Sequence, residues 1–109
     1  MGFLRSRDIA FLSAAVYKGG GASSAIDIRE CQEMTIFANV TEIEDTETLD
    51  LGLEISPDGE IWSVRKSFTQ ITAIGTYHIE VPDCIGKYAR ISYDASDDTT
   101  FSVAATAKG

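Results

Sequence analysis

A chain of 109 residues with 44% hydrophobic and 24% charged residues has the size of one folded domain, which excludes a multidomain enzyme and leaves little room for a deep substrate pocket beside a modest core. Nine basic against seventeen acidic side chains give a net charge of −8, which repels phosphate backbones and anionic lipid, so neither nucleic acid nor a membrane is an expected partner. The charge is uneven: residues 1–21 carry Arg5, Arg7 and Lys18 against Asp8, a net of +2, and residues 22–109 carry 6 basic and 16 acidic residues, a net of −10.

Residues 1–7 precede the first periodic segment, and Phe3, Leu4, Arg5 and Arg7 have no evident place in a core. They are read as an N-terminal arm, apolar and basic, suited to an acidic neighbour, ahead of a single domain over 8–109. Arg5 and Arg7 before the apolar run Ile9–Val16 invite a signal-peptide reading. Asp8 at the edge of the run and its length of eight residues argue against it. No stretch approaches the ~20 apolar residues that cross a bilayer. Asp8–Val16 suits either a strand or one short helix; a strand is favoured because Gly19-Gly20-Gly21 ends it abruptly and the rest of the chain alternates with period 2.

Ile26–Ile28 reads as a short strand leading into Met34–Ile43. Thr48–Ser56 is the clearest strand, with Leu49, Leu51, Leu53 and Ile55 on one face and polar residues on the other. Pro57-Asp58-Gly59 supplies a turn, with Gly59 at a positive φ. On the return strand Trp62, Val64, Lys66 and Phe68 are expected on one face, the apolar one, with Ser63, Arg65 and Ser67 on the other. Gly75–Val81 places Tyr77, Ile79 and Val81 inward, and Tyr88–Asp94 does so with Ala89, Ile91 and Tyr93. Asp94–Asp98 reads as a polar turn before a last strand, Thr100–Ala107, with Phe101, Val103, Ala105 and Ala107 inward. About seven to eight short strands separated by turns predict an all-β fold, an antiparallel sandwich or jelly roll.

The inventory for chemistry is thin. His78 is the one histidine and falls on an outward face. Cys31 and Cys84 form no Cys-x-x-Cys or Cys/His cluster, read as small buried or incidental thiols, and make an intracellular folding compartment the default. Gly19–Gly21 lacks the Lys and helix of a phosphate loop. Glu42, Glu44, Asp45 and Glu47, and Asp94, Asp97 and Asp98, match no calcium loop and read as solvated turns that also discourage edge-to-edge pairing. No catalytic residue, metal site or cofactor is expected. Trp62 and Tyr88 are the aromatic candidates for a partner surface, against a core-edge role for Trp62.

Phe11-Leu12-Ser13-Ala14-Ala15, Ser56-Pro57-Asp58-Gly59 with Trp62, Phe68–Ala73, Gly86–Ile91 and Thr100–Val103 together resemble small β-sandwich proteins encoded among the virion structural genes of tailed bacteriophages and prophages. The hairpin and the Tyr88–Ile91 strand also resemble parts of discoidin-like, galactose-binding sandwiches. The phage resemblance implies a non-enzymatic particle component, a capsid decoration or cement protein that binds between subunits of a major capsid protein. It further implies a homo-oligomer, a trimer being favoured, located in a virion assembled in the host cytoplasm. The alternative is a carbohydrate-binding or tail-associated module. Charged loops at Glu42–Glu47 and Asp94–Asp98 depart from the family's small neutral ones.

Overall fold

The structure, a computed structural model, describes residues 6–83 and 86–109. Phe3, Leu4, Arg5 and Cys84 lie outside the described residues. Seven strands follow in order: β1 (Ser6–Ala22), β2 (Ile26–Asp27), β3 (Glu33–Glu42), β4 (Leu49–Ser56), β5 (Ser63–Ser67), β6 (Gly75–Val81) and β7 (Tyr88–Lys108). All pairings are antiparallel and belong to one sheet of order β5-β4-β7-β3-β6, with β1 and β2 also on β7.

β7 is the spine. One of its edges carries β4 along Tyr88–Ala95 and β3 along Thr100–Lys108. Its other edge carries β2 along Tyr88–Ala89 and β1 along Ser92–Lys108. A straight strand of 21 residues would run ~70 Å, yet the molecule's longest extent is 49 Å. The backbone hydrogen bonds show how the length is absorbed. Ile28 N–H donates to the Lys87 carbonyl and Gln32 N–H to the Lys108 carbonyl. The few residues between Ile28 and Gln32 reach only ~14 Å, so the two ends of β7 are held close together and the strand must fold over between them.

The fold of β7 turns one sheet into two facing layers, the predicted sandwich. The inward faces are those set by alternation: Met34, Ile36, Ala38 and Val40 from β3, Leu49, Leu51 and Leu53 from β4, and Ala89, Ile91, Phe101, Val103, Ala105 and Ala107 from β7 form a single buried cluster with Ile9, Phe11 and Ile28. The outermost strands, β5 and β6, then meet across a seam. Lys66 Nζ donates to the Glu80 carbonyl at 2.6 Å, and Arg65 donates through Nε and Nη2 to the Asp83 carbonyl at 3.1 and 3.0 Å. Side chains therefore satisfy strand-edge carbonyls where a barrel would have a backbone ladder.

Three expectations need correction. Asp94–Asp98 is not a turn: β7 runs through it, because Ala95 and Thr99 are buried and a bulge accommodates the extra residues, Tyr17 opposing Thr99 while Gly19 opposes Ala95. Nor does Gly19-Gly20-Gly21 end β1, which crosses the same corner on those glycines. Gly19 takes φ 73°, and the Tyr93 ring lies in the space a Cβ at Gly21 would fill. Finally, Trp62, Val64, Lys66 and Phe68 do not share a buried face. A register shift in β5 between the partners of Leu53 and Glu54 leaves Phe68 buried and Val64 60% exposed. Gly59, by contrast, has the expected positive φ, 84°.

Candidate interaction surface

β2 places Asp27 opposite Tyr88, and Asp27 ties two cations to the end of the molecule where both ends of β7 lie. Its carboxylate accepts from Arg29 Nε at 3.1 and 3.0 Å and from the Arg29 backbone N–H at 3.0 Å. The Arg29 side chain, first, and that N–H hold the Asp27 carboxyl down at about 2, while Asp27 raises the Arg29 guanidinium in return. The Asp27 carbonyl accepts from Arg7 Nη1 at 2.9 Å. Arg7 and Ser6, read from sequence as part of an arm, are the first rungs of β1, opposite Ala107 and Lys108. Arg7 sits on the inward-facing parity, where Ala107 and Met34 are buried; at this open end its long stem reaches out to β2 instead.

A cleft of about 500 Å³ opens beside this cluster, lined by Ser6, Arg7, Glu30, Cys31, Ala107, Lys108 and Gly109. Cys31 is half-buried there, its Sγ 3.4 Å from the Glu33 carbonyl. Arg7, Arg29 and Lys108 thus meet at one end of the protein beside Asp27, which pairs with Arg29, and Glu30 and Glu33. This end is a mixed-charge patch able to exchange ion pairs with a partner.

Trp62 and Tyr88 come together on the outer face of β4 and β7, adjoining that end. Arg90, two residues along β7 from Tyr88, lies 4.2 Å above the Trp62 ring. Its Nε donates to Glu54 Oε1, directly opposite in β4, at 2.6 Å. The tryptophan is half-buried with Arg90 over one face, a stack of the kind that fixes a guanidinium. Tyr88 is half-buried too, its ring over the hairpin at Gly59. The hairpin is rigid: Ser56 Oγ accepts from the N–H groups of Asp58 and Gly59, and Asp58 Oδ1 from those of Glu60 and Ile61. The latter two hold the Asp58 carboxyl below its ordinary value.

Among the described residues no group of three or more His, Cys, Asp or Glu converges as a metal site. His78 is exposed and lies 5.9 Å, centroid to centroid, from Phe37, its register partner in β3. Sequence reasoning missed Arg29, Arg90 and Lys108. Arg29 is two residues from Asp27 and Arg90 two residues along β7 from Tyr88, but the contacts of Arg90 with Trp62 and Glu54, and the nearness of Lys108, depend on the fold of β7.

The chain is thus an all-β antiparallel sandwich with a mixed-charge end and an aromatic–arginine face. Residues 31–109 match a family described as a domain of unknown function, DUF6385, and the chain belongs to that family. No curated protein matches it. Among solved structures it is similar in fold to the SPBc2 prophage-derived protein YomS, with 8% identity, TM-score 0.69, and coverage of 100% of this chain and 97% of that one. It is also similar to the PBSX exported protein XepA, with 16% identity and TM-score 0.71. That likeness covers 97% of this chain, which spans only 37% of XepA.

Proposed function

We propose that this protein is a non-enzymatic structural component of a bacteriophage or prophage particle, a capsid decoration or cement subunit that binds between copies of a major capsid protein. The observation that carries the reading is the fold it shares with YomS over essentially the whole of both chains. A sandwich of this size and fold is thus found in a prophage-derived protein. The occurrence of the same fold as 37% of XepA supports its use as a building block.

The surface chemistry is consistent with that role. The mixed-charge end around Arg7, Arg29, Lys108 and Glu30 offers ion pairs to a capsid subunit, the −8 charge keeps the outer body solvated, and repetition over the shell converts weak contacts into avid binding. Self-association into a trimer adds further linkage. The carbohydrate-binding alternative has less support, since Arg90 occupies one face of Trp62.

Mass spectrometry and cryo-EM of purified particles test the reading. The expected result is that the polypeptide co-purifies with heads and adds density on the capsid, and that particles made without it rupture at lower temperature. Density on the tail would replace capsid decoration with a tail role. Recovery of the protein only in the particle-free supernatant would overturn the proposal.

A further inference from the structure

We infer that β1 is an exchangeable strand: residues 6–18 of one copy can leave their own β7 and occupy the same edge of β7 in a second copy. This deepens the particle reading by naming a linkage between subunits, but its test uses purified protein and stands apart from it.

The seat and its occupant are both visible. The outer edge of β7 from Thr99 to Lys108 is covered by β1 and, among the described residues, by no other strand. Without β1, that edge would present unpaired N–H and C=O groups, a template for strand addition. The occupant with the matching register is β1 itself, from Ser6 opposite Lys108 to Tyr17 opposite Thr99. Identical contacts form in cis or in trans, so the choice rests on the hinge and on local concentration.

Four observations make β1 the strand that exchanges. It lies wholly before residue 31, where the family match begins. Its pairing with β7 is broken by three register shifts, after Ala10, Leu12 and Tyr17. Only Ile9 and Phe11 of its side chains are buried, Ser13–Val16 being exposed. Beyond the ladder, its polar ties to the rest of the fold are the Arg7 bond to the Asp27 carbonyl and a 3.5 Å pair between Lys18 and Asp97, both exposed and of the kind that contributes little. Its apolar anchors are Ile9, Phe11, Leu12 and Tyr17, the last against Tyr93 and Phe101, contacts that a second copy's β7 would offer equally. The corner Gly19-Gly20-Gly21 then serves as the hinge, since glycines open and close such a bend with least strain. Beyond it, Ser23 is locked to Ile91 by two hydrogen bonds, Ser23 N–H to the Ile91 carbonyl at 2.8 Å and Ile91 N–H to Ser23 Oγ at 2.9 Å. Opening therefore stops at the glycines.

Cross-linking decides it. Ala10 and Ala104 are register partners and both exposed. In a background with Cys31→Ser and Cys84→Ser, chains carrying Ala10→Cys are mixed with chains carrying Ala104→Cys at ~1 mM and oxidised. The expected result is a covalent mixed dimer about tenfold more abundant than with the control pair Ala10→Cys and Ala73→Cys, which are not in register. A yield no greater than the control overturns the inference. Hydrogen exchange on the unmodified chain is the second measurement: β1 amides are expected to exchange about tenfold or more faster than those of β3, which sits on the other edge of β7. Equal protection of β1 and β3 also overturns it.

Discussion

At Gly21 a single missing methyl group shapes the corner of the sandwich. The Tyr93 ring occupies the space beside this glycine and packs with Tyr17 at 5.1 Å and Phe101 at 6.0 Å between centroids. Gly21→Ala must displace Tyr93 from that cluster, at a cost of about 1–3 kcal/mol. The check is a thermal melt, with Tm expected to fall by roughly 5 °C or more; an unchanged Tm would show that the ring moves freely. A second residue-scale prediction concerns acid. Asp27, Asp58 and Asp97 all have carboxyls lowered in the folded protein: by Arg29, by the N–H groups of Ile61 and Glu60, and by the Asp98 N–H with Lys18, respectively. A group with a folded value below its unfolded one stabilises fully above the unfolded value and ceases to do so as pH falls through the folded one. For Asp27 that window runs from 3.8 down to about 2. Denaturant titrations should therefore show stability falling across it, and Asp27→Asn should flatten part of the fall.

Among the elements, the seam between β5 and β6 decides how far the sandwich closes. Lys66 and Arg65 reach the Glu80 and Asp83 carbonyls because the register shift in β5 aims neighbouring side chains across the gap. The double change Arg65→Ala with Lys66→Ala removes these donors while leaving the core intact. Hydrogen exchange is expected to accelerate in β5 and β6 with β3 and β4 unaffected, and stability to fall by about 1–3 kcal/mol, the range for charge-assisted bonds to backbone. A uniform acceleration over all strands would mean the seam is not a local closure. This element-scale feature was invisible in the sequence, where Lys66 reads as one member of an alternating face. The same limit explains Asp94–Asp98, whose composition signals a turn. Pairing of Asp94 and Ala95 with Gly20, Gly19, Asp50 and Leu49, and of Thr99 with Tyr17, holds both ends of the segment in β7, and those partners lie far away in the chain.

For the molecule as a whole, one buried cluster joins both layers, so global unfolding should be a single transition. Trp62 fluorescence and far-UV circular dichroism are predicted to give the same denaturation midpoint. A Trp62 transition at lower denaturant would show the hairpin and β5 unfolding apart from the core. The charge distribution also changes meaning at this scale. The basic residues read at 1–21 separate in the fold: Arg7 joins Arg29 and Lys108, beside Asp27 and Glu30, across β1, the β2–β3 segment and β7, while Lys18 pairs with Asp97. Of the six residues first singled out for partner binding, Arg7, Trp62 and Tyr88 fall on or beside that end, while Phe3, Leu4 and Arg5 precede the described residues.

Alternation alone determined most of the buried face of β3 and of β7 from Phe101 onward, and Leu49, Leu51 and Leu53 in β4, because a strand with one face in a core must alternate whatever its neighbours are; it missed the buried Ser56, Ala95 and Thr99. Turn chemistry likewise determined the hairpin at Gly59, since a positive φ is a local property. Only the tertiary structure decided that two predicted strands are one, that the glycines bend a strand instead of ending it, and that cations distant in sequence share a surface. Those outcomes depend on hydrogen-bond partners and on the fold of β7, which no window of neighbouring residues contains.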